Sequence, residues 1–190
     1  MVESSVPISC YLPEKRQGLV VIITGDGKGK TTSALGMALR GCGHQKRTTI
    51  VQFMKGDLYS GEWEGVNQLA PLVKLYHTGK GFCGIQGNPY PQTEHRQNAQ
   101  AALLLVTDII TGAGCDILIL DEINNALHLN LVDLDQVKQL LALRPEPMHL
   151  ILTGRSAHPE LIELADTVSE VREIKHAYRR GIEPQPGIDY

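Results

Sequence analysis

Residues Thr24-Gly25-Asp26-Gly27-Lys28-Gly29-Lys30-Thr31-Thr32 combine three glycines, two lysines and adjacent hydroxyls at the junction of an apolar run and a helical pattern. Glycine lets a backbone curl so that successive N–H groups face one concave site, which suits an anion. A helix starting at once adds the positive end of its dipole, and phosphate is the usual guest. Lys30 supplies full positive charge for terminal phosphates, and Thr31 a hydroxyl where a phosphate-bound Mg²⁺ needs a ligand. The general pattern wants glycine at position 24, where this chain has Thr24, so the loop departs from the standard phosphate cradle. A lysine- and glycine-rich surface turn is the competing reading, and the flanking strand and helix weigh against it. For Lys28 alone, phosphate contact and a solvated side chain stay open.

Some 90 residues on, Ile117-Leu118-Ile119-Leu120 leads into Asp121-Glu122. A buried strand ending in two carboxylates puts negative charge at the sheet's carboxyl edge, where Mg²⁺ beside a triphosphate would sit. Thr31, Asp121 and Glu122 are therefore the candidate metal ligands. Asp121 could instead cap a following helix. Arg155 follows Thr153-Gly154 at another strand end, where a guanidinium reaches phosphate or forms a surface ion pair.

These groups need a scaffold. Gly18–Ile23, Arg47–Phe53, Leu72–Tyr76, Asp116–Leu120, Met148–Thr153 and Thr167–Arg172 read as strands. Thr31–Gly41, Thr93–Ile110 (capped by Thr93), Leu134–Leu143 (stopped by Pro145) and Pro159–Ala165 read as helices. Residues 54–70 read as loop with at most one helical turn. Residues 77–92, rich in glycine and proline, read as a long functional loop. Strands alternating with helices predict an α/β fold, a mostly parallel sheet with helices on both faces. Residues 1–17 read as an arm and 18–190 as one domain.

The 190 residues are 42% hydrophobic and 21% charged with net charge -3, which argues for a small-molecule partner over nucleic acid. No apolar run approaches the roughly 20 residues of a membrane span. Cys10, Cys42, Cys83 and Cys115 lack the paired spacing of a zinc site, and reduced thiols in the cytoplasm are expected.

The chain resembles the ATP:corrinoid adenosyltransferases. The resemblance rests on Thr24–Thr32, on Val51-Gln52-Phe53-Met54-Lys55-Gly56 with Gly61-Glu62, and on Leu120-Asp121-Glu122-Ile123-Asn124. Leu152-Thr153-Gly154-Arg155, Glu163-Leu164-Ala165-Asp166, Lys175-His176-Ala177 and Gly187-Ile188-Asp189-Tyr190 extend it over nearly the whole chain from Gly18. It implies a RecA-like P-loop fold, a homodimer, and ATP with Mg²⁺ or Mn²⁺. It further implies transfer of the 5′-deoxyadenosyl group to Co(I) of a corrinoid, with triphosphate leaving. An external reductase would supply the electron. On this resemblance Thr24, Gly25, Asp26, Gly27, Lys28, Gly29, Lys30, Thr31, Thr32, Arg40 and Arg155 are expected to bind the nucleotide. Lys30 and Phe82 are the expected catalytic residues, Phe82 as an aromatic crowding the lower corrin face. The family's Gly-Phe-x-Trp pattern is broken, since Gly84 stands at the tryptophan position and the sole tryptophan is Trp63. A P-loop kinase would want several arginines in its lid, and residues 77–92 offer only Lys80. A nucleotide-gated module that carries or regulates without turnover is the alternative outside enzymes.

Overall fold

The protein is described from a computed structural model, in residues 13–56, 59–81 and 88–190. Phe82, Cys83 and most of the expected arm lie outside the described residues.

Among the described residues six strands form one sheet: β1 (Val20–Thr24), β2 (Thr48–Gln52), β3 (Val73–His77), β4 (Ile117–Asp121), β5 (His149–Thr153) and β6 (Thr167–Glu170). Their order is β3-β2-β4-β5-β1-β6, and every pairing is parallel. Every residue of β2 and β4 is buried, as central parallel strands covered on both faces should be; β4 is a near-continuous apolar run, while β2 buries Thr48, Thr49 and Gln52. Among the described residues the α-helices are α1 (Lys30–Gly43), α2 (Glu62–Asn67), α3 (Gln92–Thr111), α4 (Ile123–His128), α5 (Leu134–Leu143) and α6 (Pro159–Leu164).

Strand alternation divides the core in two. Ile22, Val51, Leu118, Leu120, Leu150 and Leu152 point to one face and pack against Ala102, Leu103 and Val106 of α3, Ile123 of α4, Val137 and Leu140 of α5 and Leu161 of α6. Ile23, Ile50, Ile119 and Ile151 point to the other, against Ala34 and Ala38 of α1 and Val66 of α2. The small alanines of α1 let that helix lie close to the sheet, which fixes where its N-terminus opens.

Several boundaries moved. β1 begins at Val20, because Gly18 serves the approach of a neighbouring turn: a Cβ there would lie 2.0 Å from the Met148 carbonyl. Pro91, not Thr93, is the N-cap of α3, and Thr93 falls inside its first turn. α2, six residues long, stands where one helical turn was read within the loop 54–70. A helix does follow the two carboxylates, the six-residue α4, but its N-cap is Glu122 and not Asp121. α5 has the expected bounds, held at its start by a capping box between Asp133 and Gln136.

Candidate functional site

β1, β5 and β4 lie side by side, so Thr24, Thr153 and Asp121 end on the same edge of the sheet. Parallel sheets bind ligands at this edge. The loop leaving β1 is anchored from behind. Gly27 N–H donates to Val171 O at 2.7 Å, and a Cβ on Gly25 or Gly27 would collide with the Val171–Arg172 backbone at 2.4 and 2.7 Å. Thr24 Oγ1 accepts from Ala157 N–H at 3.2 Å, tying the loop to the turn beyond β5. Gly29 differs. It caps α1 at φ 117°, and the space beside its Cα is open. Two glycines therefore serve packing, and the third turns the chain so that the unpaired first amides of α1 face outward.

Lys30 is only 8% exposed, and its Nζ donates to Gly27 O at 2.7 Å across the loop. Burial pushes its pKa below the ordinary lysine value, while Glu122 opposes the shift. Thr31 Oγ1 donates to Asp121 Oδ1 at 2.8 Å. The same oxygen accepts from Thr153 Oγ1 at 2.6 Å, and Gln52 Nε2 donates to Asp121 Oδ2 at 3.2 Å. Asp121 is fully buried; burial raises its pKa, and these three hydrogen bonds pull the other way.

Glu122 sits at φ 64°, a left-handed conformation uncommon outside glycine. Its N–H donates to Thr153 Oγ1 at 3.0 Å. Its side chain lines a cleft over the loop, yet among the described residues Oε2 is buried with no hydrogen-bond partner. Burial first, then the neighbouring Asp121, raises its pKa to about 7.

Two networks flank this centre. On the β2 side, Glu62 accepts from Lys55 Nζ at 2.8 Å, from Gln52 Nε2 at 3.2 Å, and from the Ser60 hydroxyl. Burial would raise its pKa, but the Lys55 and Ser60 hydrogen bonds outweigh it and hold it at about 2. On the β5 side, Gly154 turns at φ +127° with Asn125 packed where its Cβ would be, and Asn125 Oδ1 accepts from Arg155 N–H at 2.5 Å. The Arg155 guanidinium then reaches the Asp26 carbonyl at 3.5 Å.

The cleft measures about 670 Å³. Its walls include Asp26, Gly27, Lys28, Gly29, Lys30, Thr31, Thr32, Glu122 and Arg155 of the sequence-based set. Thr24, Gly25 and Asp121 lie behind it as supports. Arg40 is exposed in the last turn of α1, away from the cleft. Residues without an assigned role in the sequence reading also belong here: Gln52, Lys55, Glu62, Thr153 and the tail Gly187–Tyr190. The tail is fastened by Lys28 Nζ to Asp189 Oδ1 at 2.9 Å. All lie inside the stretches that carry the family resemblance, so the signal was present without its geometry.

A family described as ATP:corrinoid adenosyltransferase BtuR/CobO/CobP matches residues 16–190. The chain is 37% identical to a corrinoid adenosyltransferase of Escherichia coli K12 over 182 residues, covering 93% of this chain and 88% of that one. It is 34% identical to one from Pseudomonas aeruginosa over 178 residues, covering 92% and 84%. In structure it is similar to the KaiC-like protein PH0186 of Pyrococcus horikoshii, at TM-score 0.53 and 17% identity, over 85% of this chain and 76% of that one. At that identity the likeness speaks to the fold alone.

Proposed function

The chain belongs to the ATP:corrinoid adenosyltransferase family, and from that premise we propose how its cleft performs the reaction. It is an enzyme of α/β P-loop fold that transfers an adenosyl group from ATP to a corrinoid.

In our reading the triphosphate lies on the outward amides of α1, with Lys30 leaving Gly27 O to meet it. The Co(I) electron pair attacks the ribose C5′, a Co–C bond forms, and the C5′–O bond breaks with its electrons going to triphosphate. Co(I) is nucleophilic enough to need no protein base. The protein therefore contributes by holding the leaving group's charge and aligning C5′.

A divalent cation fits the residues present. Thr31 Oγ1 donates its hydrogen bond to Asp121, which leaves its lone pairs for a cation, while Glu122 Oε2 is buried and without a hydrogen-bond partner among the described residues. Among the described residues no three carboxylate, histidine or cysteine side chains form a cage. Mg²⁺ takes few protein ligands and completes its shell with phosphate and water. Thr31 and Glu122 would hold it, with Asp121 orienting Thr31. Bound there, the ion would supply charge neutralisation of the triphosphate.

The observation that carries this reading is the convergence of Lys30, the Thr31–Asp121–Thr153 hydrogen bonds and the free Glu122 oxygen on one cleft. We further propose a cytoplasmic homodimer that receives its electron from a separate reductase and engages neither membrane nor nucleic acid. Among the described residues no helix is long and apolar enough to cross a membrane. Phe82 keeps its sequence-based role in the proposal. The test is incubation with Mg²⁺, ATP and chemically reduced cobalamin. Triphosphate and a light-sensitive Co–C product are expected, and release of orthophosphate instead would overturn the assignment.

A further inference from the structure

The indole of Trp63 lies against the imidazole of His77, with ring centres 4.5 Å apart and planes 18° from parallel. Tyr59 meets the indole edge-on at 6.2 Å. The cluster stands at the carboxyl end of β3, on the edge of the sheet where the phosphate loop opens. Trp63 directly follows Glu62, which lines the nucleotide cleft.

These rings are not core. Tyr59 is 56% exposed, His77 is exposed and Trp63 is only half-buried. The indole is nevertheless held in place: its Nε1–H donates to Gln52 Oε1 at 3.1 Å. Gln52 is fully buried, and its amide also donates to Glu62 and Asp121. One amide thus fixes both the indole and the carboxylate behind Thr31, at a set distance from each other.

We propose that Trp63, backed by His77 and flanked by Tyr59, is the surface on which the corrin ring of the acceptor rests. The inference depends on the function proposed above, which requires a flat macrocycle beside the nucleotide. Flat apolar faces bind rigid aromatic surface by dispersion and desolvation. The phosphate end of the cleft is ill suited to such a face, being walled by Asp26, Lys28, Lys30, Glu122 and Arg155. The β2–β3 edge supplies the flat surface next to it. Because this is the chain's single tryptophan, no other indole can substitute.

The test is steady-state KM for cob(I)alamin and for ATP in the wild type, Trp63→Ala, Trp63→Phe and His77→Ala. Trp63→Ala should raise the KM for cob(I)alamin by about tenfold, the scale of one lost aromatic contact, and leave that for ATP within about twofold. Trp63→Phe should retain most of the affinity, and His77→Ala should show a smaller rise of the same kind. Equilibrium dialysis with hydroxocobalamin reads the same loss in variants too slow to assay. An unchanged corrinoid KM, or a parallel rise in both constants as from a merely structural defect, overturns the proposal. Should Trp63→Ala fail to fold, an unchanged corrinoid KM in His77→Ala overturns it equally. A wild type that binds hydroxocobalamin but makes no adenosylated product would instead sink the reading of function, leaving the dialysis to judge Trp63.

Discussion

Lys30 is the side chain on which the nucleotide assignment turns. Its ammonium is nearly buried and, among the described residues, donates only to the loop's own Gly27 carbonyl, so an incoming phosphate would replace a neutral acceptor with an anionic one. Lys30→Ala removes a charge-assisted contact of about 1.5–3 kcal/mol. ATP affinity by calorimetry should fall at least tenfold and turnover should largely vanish. Near wild-type turnover would remove Lys30 from the site. Glu62 offers a separate test through pH. Its folded pKa of about 2 lies below the ordinary 4.5, so its donors favour the ionised carboxylate. That stabilisation is complete above pH 4.5 and disappears as pH falls towards 2. Across the window it amounts to at most about 3 kcal/mol. In urea unfolding at pH 7, 4 and 3, the stability gap between wild type and Glu62→Gln should narrow as the solution is acidified. A constant gap would show that Lys55 and Ser60 do not hold the carboxylate.

At the scale of elements, the strands carrying the site were readable because buried parallel strands are apolar runs, and Ile117–Asp121 could hardly be anything else. α5 was legible to the residue from its spacing and Pro145. Short helices were legible unevenly: α6 was read from Pro159 onward, whereas α4 was foreseen only as a possible helix after Asp121. α4 has six residues, too few for a helical period to stand out, and Asp121-Glu122 before it reads as chemistry before it reads as a helix start. Nor does a sequence show which strands are neighbours, and here that order decides the site. β5 lies between β1 and β4, and this alone places Thr153 to donate to Asp121 and accept from Glu122. Its role was invisible although its motif was noticed. Thr153→Val keeps the β-branched shape of the strand end but leaves a buried carboxylate and an amide each short of a partner. The variant should lose about 1–3 kcal/mol by denaturant unfolding and bind Mg²⁺–ATP more weakly, because Asp121 no longer holds Thr31. Stability within about 0.5 kcal/mol of wild type would mean that the pair is solvated in solution.

Across the whole molecule, the last residues of the chain return to the first functional loop. Ile188 and Tyr190 share the cleft with Leu35, and they are its aliphatic and phenolic surfaces. They are held by the Lys28–Asp189 pair and by Gln185 N–H donating to Asp189 Oδ2 at 2.8 Å. Lys28, left between solvent and phosphate by the sequence, is engaged with the tail. An exposed ion pair contributes little to global stability, and Ile188 is 69% exposed, so this segment adds a wall to the cleft without adding to the core. Removing residues 187–190 should therefore leave the thermal midpoint within a few degrees of the full chain. The KM for ATP should rise several-fold, by loss of apolar contact area. Binding of inorganic tripolyphosphate, which has no nucleoside, should change much less, since the loop amides and Lys30 remain. Equal weakening of ATP and tripolyphosphate would show that the tail acts on the phosphate loop itself, with Asp189 setting the loop's shape through Lys28.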